Sequence, residues 1–348
     1  MYGEENTVKF TKRHLGSISS CYATTYLERG GGGSFVFASD AYGPCLCFDC
    51  EEFVRETVWE APGGTMSIVP IPQGRGDFLA IQKFNPGFDA AGAEIVFAHK
   101  GGDGWRVRTL FELPYVHRFD ILERGGIRYL ICCTLCTTKN SADDWRSPGK
   151  IYGAKFPEDL SEPIALAVIA DGMSRNHGYC RVTRDTYSFA VTSCDQGVFE
   201  ILPPESDGGK WSVRKILDGR ISDIALCDID GDGSKELAAI EPFHGAGFVI
   251  YRKVAGEYIP IYRYPEELPF CHVVWGGILR GNHVFLAGNR GGARGLYLLQ
   301  WENGAIVART IEQGFGPSNI AVHRGQDEDL VAVANHEAGE AAVFAVRA

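Results

Sequence analysis

The same order of segments returns seven times along this chain. A small polar residue or histidine opens each repeat, and an apolar strand, a turn and a second apolar strand with a polar end come after it. A turn at glycine then leads to a third apolar strand and an amphipathic fourth. The opening positions align at Ser19, Thr65, His117, His177, Ser222, His272 and Ser318, spaced 45 to 60 residues apart. Two junctions are close to identical: Glu112-Leu113-Pro114-Tyr115-Val116-His117 and Glu267-Leu268-Pro269-Phe270-Cys271-His272. A four-strand repeat of roughly 40–50 residues is the unit of a propeller blade, because one such sheet cannot bury both faces alone and stacks radially on its neighbours. The pattern predicts an all-β chain, a seven-bladed β-propeller of four-stranded antiparallel blades.

The ends of the chain support the same reading. Earlier repeats finish in an amphipathic segment such as Trp211 to Gly219 or Ala305 to Ile311, but the last stops at Ala341 to Ala348 without one. The missing piece stands before the first opening position, in Thr7-Val-Lys-Phe-Thr-Lys-Arg-His-Leu15. Pairing of residues 5–13 with the last blade would close the ring and make residues 1–348 a single propeller domain, as expected where each blade is stabilised by its neighbours.

Composition narrows the functional classes. A formal charge of −10 with no basic stripe argues against nucleic acid and anionic membranes as partners. The absence of a long apolar run and of a signal-like start predicts a chain that is neither membrane-spanning nor exported, and so cytoplasmic. The eleven cysteines fit buried thiols of a reducing compartment, since several lie inside apolar strands and two, Cys132 and Cys133, are adjacent. Cys45, Cys47 and Cys50 form a C-x-C-x-x-C group without a matching second half, which favours core thiols over zinc. No G-x-S-x-G, P-loop or dinucleotide fingerprint is present.

Repeat five carries Asp228-Ile-Asp230-Gly-Asp232-Gly-Ser-Lys-Glu236-Leu237 between its first two strands. Alternating carboxylates in a glycine-supported loop can aim several hard oxygens at one point, which is what calcium requires, or can cap the loop's own amides as a solvated turn. The segment resembles the hairpin of FG-GAP/VCBS propeller repeats, D-x-D-G-D-G-x-x-(D/E)-L. That resemblance implies a structural calcium on Asp228, Asp230, Asp232 and Glu236. It covers one blade by motif and the others by strand pattern only.

In a propeller the first strand of each blade lines the central channel, and the loops entering it share a face with the loops joining strands two and three. Three of the seven opening positions are histidine, His117, His177 and His272, out of nine in the chain. Second-strand ends add Asp40, Lys83, Asp195, Glu241, Asn289, Arg290 and His336, with His244 in the same turn as Glu241. Neutral imidazoles arriving from several directions suit zinc, manganese or iron, and an incomplete shell leaves room for substrate. Without a metal, the same residues would touch substrate directly or serve as polar lining of a wet channel. Long segments at 84–92 and 137–149 add Phe84 and Trp145, aromatic faces on which a sugar ring can stack.

The chain thereby resembles, in architecture, propeller enzymes that hold a catalytic metal by funnel histidines. This second resemblance implies a metal-dependent lyase, dehydratase or isomerase for a sugar or sugar acid. His336 and Glu241 are candidate bases, and Lys83, Arg118, Arg175, Asn289, Arg290 and Trp145 candidate substrate contacts. The competing expectation is a non-catalytic propeller that binds carbohydrate or protein.

Overall fold

The computed structural model describes residues 8–30, 32–73, 75–84 and 89–348. Its strands form seven four-stranded antiparallel groups in chain order, a β-propeller; the third and fourth are linked into one sheet by a single pairing, Arg124 with Tyr187. The innermost strands are Cys21–Arg29, Ile68–Pro70, Val116–Arg124, Gly178–Arg184, Ile224–Cys227, Cys271–Leu279 and Pro317–Arg324. The second and third strands are the most deeply buried, for example Phe78–Gln82 and Asp329–Asn335, because both of their faces lie against a neighbouring blade. Among the described residues no helix is long and apolar enough to cross a membrane.

Closure depends on the strand at the start of the chain. Lys9–Ser17 pairs antiparallel with Glu340–Arg347, from Lys9 opposite Arg347 to Ser17 opposite Glu340, with an irregularity between His14 and Gly16. The pairing runs four residues beyond the sequence expectation at its C-terminal end, while residues 5–7 lie outside the described residues. Lys12 bridges Glu312 and Glu340 (2.9 and 2.8 Å), and Phe10 meets Phe344 edge to face. The first and last blades then pack through Phe35, Phe37 and Phe48 against Ala332 and Val343. The closing strand thus covers the edge that Glu340–Arg347 would otherwise expose and supplies the fourth strand of the last blade.

All eleven cysteines are free thiols and most are buried. Burial pushes the Cys45 and Cys47 thiols above their ordinary range. They pack in the core with Val36 and Ala38, and no metal-capable cluster forms around them among the described residues.

Candidate metal centre in the funnel

The channel position of the first blade lies three residues beyond Ser19, at Tyr22. In four inner strands one residue bulges out of the ladder at the channel end: Tyr22, His117, His272 and Ser318. Each stands two residues after a left-handed backbone position, at Ser20 (φ 52°), Tyr115 (φ 59°), Phe270 (φ 53°) and Gly316 (φ 67°). The blade-one equivalent of the histidines is therefore Tyr22 and not Ser19. An extra residue re-aims a side chain, so the bulge turns Tyr22, His117 and His272 into the funnel, while the Ser318 hydroxyl lies against the carbonyls of Cys21, Tyr22 and Ala334. Cys21-Tyr22-Ala23 beside Cys271-His272-Val273 was the available sequence signal, obscured by the match of Ser19 to the other small opening residues.

The left-handed residues also set the rim. Their carbonyls accept the amides of Asp40, Leu135, Arg290 and His336, at 3.1, 3.0, 2.9 and 2.9 Å, so the ends of four second strands are held at one level around the funnel. A cavity of about 430 Å³ opens there. Tyr22, His117, His177, His244, His272 and His336 contribute to its wall, with Asp40, Arg290 and the aromatic rings of Phe84, Phe243 and Phe270.

His177, His244 and His272 each offer a ring nitrogen within 4.8 Å of the other two. His177 Nδ1 lies 3.2 Å from the Ser222 carbonyl and His272 Nδ1 3.1 Å from that of Ser318. A carbonyl only accepts, so each Nδ1 carries the proton and each Nε2 presents its lone pair to the cavity. This is the arrangement by which an outer partner fixes a ligand histidine. The serines at the opening positions of blades five and seven thus hold the histidines of the preceding blades. Ser222 Oγ also accepts the His244 amide at 3.1 Å, fixing the turn that carries this third ring. Phe243 stacks on His244 (3.9 Å between centroids) and in turn meets Trp145 edge to face (5.2 Å). The 137–149 segment therefore braces the cluster from behind.

Burial drives the imidazoles of His117, His177 and His272 well below their ordinary range, and neighbouring Arg118 adds to the effect. His244 falls to about 3 through burial first and then Arg290, Arg118 and Arg175. All four are neutral at physiological pH, the state in which imidazole binds a metal. His117 lies beside the trio, its ring 4.5 Å from that of His177, but is not one of the three that converge most closely.

At the rim, His336 Nε2 is 3.1 Å from both Asp40 oxygens, while Nδ1 faces Arg290 Nη2 at 2.7 Å and Glu337 Oε1 at 3.0 Å. A neutral ring accepts from Arg290 and donates to Asp40; a protonated ring donates to Asp40 and Glu337. Both protonation states have partners.

Several residues expected at the site stand elsewhere. Glu241, a candidate base, turns away from the cavity: its carboxylate accepts the Tyr251 hydroxyl and lies 3.6 Å from Arg263. Lys83 pairs with Glu94 (2.9 Å). Arg175 pairs with Asp195 (2.8 Å) and covers Trp145, which is itself behind Phe243. Asn289 spends its amide on loop backbone, donating to Pro269 and Gly291 and accepting from Gly295. Arg118 is buried and donates to the Met66 carbonyl at 2.8 Å. None of these six lines the cavity. Of the 84–92 segment, Phe84 lies on the wall and meets His117 at 5.6 Å, while residues 85–88 lie outside the described residues.

In the acidic hairpin Asp228, Asp230 and Glu236 converge. Arg252 is already among them, bonded to Asp230 and, at 2.9 Å, to Glu236. Glu236 also accepts the Ile229 amide and Asp228 that of Gly233. Asp232 turns to the Ser234 amide and stands apart from the convergent three. A cation of the chain thus occupies part of the position that the FG-GAP/VCBS resemblance reserves for calcium.

No protein-family model matches this chain, and no curated protein matches it. Among solved structures it is similar to the PQQ-bound aldose sugar dehydrogenase of Streptomyces coelicolor, at 14% identity over 97% of this chain and 98% of that one, with a TM-score of 0.50. It is also similar to the Cps50 (Swd1) β-propeller domain of Myceliophteria thermophila, at 12% identity over 96% and 99%, with a TM-score of 0.62. At these identities the likeness is one of fold. The chain is a β-propeller.

Proposed function

We propose that this propeller is a metal-dependent enzyme acting on a sugar or sugar acid in its funnel, as a lyase, dehydratase or isomerase. The observation that carries the reading is the convergence of His177, His244 and His272, neutral, with two of the three Nε2 lone pairs aimed by backbone carbonyls into one cavity. Such a set suits zinc, manganese or iron, which would supply a Lewis acid for a carbonyl or carboxylate oxygen. Arg290, a cation among the described residues of the cavity wall, pairs with Glu337 at 2.8 Å and has further guanidinium donors with which to hold an anionic end of the substrate. The Asp40–His336 pair is placed to receive a proton from carbon, since either state of the ring keeps its hydrogen bonds. Phe84, Phe243 and Phe270 give the apolar surface against which the C–H face of a sugar can lie.

The test is elemental analysis of protein purified without a histidine tag, in wild type and in His177→Ala, His244→Ala and His272→Ala. Turnover of a panel of aldoses, ketoses and uronic acids would be monitored in parallel. About one equivalent of transition metal, lost with each substitution together with turnover, supports the reading. Sugar binding without metal or turnover would replace it with that of a carbohydrate-binding propeller.

A further inference from the structure

The histidine trio leaves unexplained the phenol that a bulged inner strand delivers to the same cavity. Tyr22 is buried, and its hydroxyl stands 3.4 Å from Nε2 of His272 and 3.4 Å from Nε2 of His117. His244 Nε2 and His177 Nε2 are separated by the same 3.4 Å. As hydrogen bonds these contacts are long, and a phenol has a single proton with which to answer two rings. As neighbouring ligands of one ion they have the right length: metal bonds of about 2.1 Å at tetrahedral angles put donor atoms roughly 3.4 Å apart. Because the His272 Nδ1 proton is committed to the Ser318 carbonyl, its Nε2 meets Tyr22 with a lone pair. The single phenol proton can answer that lone pair or the one offered by His117, at a separation long for either bond and right for two ligands of one ion.

We infer that Tyr22 is a ligand of the funnel metal, its phenolate oxygen joining the histidine nitrogens. The inference rests on the proposed metal site and adds to it the class of ion. An anionic oxygen with neutral imidazoles favours iron, manganese or copper over magnesium or calcium, and lowers the net charge of a bound divalent ion from two to one. On coordination the phenol O–H bond breaks, the metal–oxygen bond forms, and the proton leaves to solvent.

The experiment uses iron(III), supplied as its nitrilotriacetate complex to metal-free full-length protein, with visible absorption and resonance Raman spectra. Zinc affinity is measured beside it by chelator competition, for wild type and Tyr22→Phe. The expected result is a phenolate-to-iron charge-transfer band with tyrosine ring modes in wild type, absent from Tyr22→Phe. Zinc binding should be at least about tenfold weaker in the variant while its melting curve is kept. Stoichiometric iron in wild type without the phenolate band overturns the assignment and leaves the histidine site standing. So does an undiminished band or zinc affinity in Tyr22→Phe. Failure of wild type to bind either metal overturns both. Should the variant not fold, the wild-type spectrum decides alone.

Discussion

Asp223 stands between Ser222 and the inner strand of blade five and is buried. Its Oδ1 accepts the Ile224 amide at 3.0 Å. Burial raises its carboxyl from 3.8 to about 7, against the opposing pull of the Arg118 charge. The unfolded chain releases this proton near 3.8 and the folded chain near 7, so between those values the folded state holds one extra proton. Stability gained from Asp223 is complete below the unfolded value and is lost as pH rises through the folded one. The slope is about 1.4 kcal/mol per pH unit, roughly 4 kcal/mol over the window. Asp223→Asn keeps an acceptor for the Ile224 amide and cannot titrate. Urea denaturation of both proteins, free of metal, from about pH 4 to about pH 8 should therefore show the stability difference, wild type minus variant, falling by about 4 kcal/mol. The channel histidines are common to both proteins and largely cancel in the difference. A difference that stays flat within about 1 kcal/mol would refute a proton-holding Asp223.

Removing residues 1–17 deletes the strand that completes the last blade and with it the ladder along its eight paired positions; at about 0.5–1 kcal/mol for each, about 4–8 kcal/mol should go. A truncated protein that melts like the intact one would show that the ring does not need this strand. Arg252→Gln leaves Asp230 and the buried Glu236 without their cation and should cost about 2–4 kcal/mol in chelator. Recovery of that loss by calcium would show that the hairpin can bind the ion, and equal loss with and without calcium that it cannot. Phe243→Ala removes the ring stacked on His244, and Ser222→Ala removes the acceptor of its amide. Each should weaken zinc binding by about 10- to 100-fold, read by competition with a chromophoric chelator, while unchanged affinity would remove His244 from the site.

Much of the architecture was legible because it is repetitive. Strand period, turn residues and the truncated last repeat are local features, and any chain carrying them has to solve the same packing problem. The register of His117 and His272 was legible for the same reason, since two copies of one junction display it. Tyr22 was masked, because Ser19 matches the other small opening residues while the bulge that places Tyr22 shows only as the likeness of Cys21-Tyr22-Ala23 to Cys271-His272-Val273, and a small shift of register moves a side chain to the other face. The role of His244 escaped for another reason: it sits on a turn, and what fixes it is the Ser222 hydroxyl, 22 residues away in the chain.

The direction of charged side chains was least accessible of all. Glu241 and Arg290 end equivalent strands and read alike as rim residues, yet Tyr251 and Arg263 draw one outward while the other reaches the cavity beside His336 and Glu337. Arg252 enters the acidic hairpin from the third strand of its blade, where no motif of the loop announces it. The sequence alone determined a seven-fold β repeat, its closing strand and a concentration of imidazoles near the axis, because apolar period and residue type are properties of the chain. Tertiary structure decided which nitrogens and oxygens meet. Their positions depend on partners brought from distant blades and on bulges a few ångströms in size, and hydrogen bonding and metal binding discriminate on that scale.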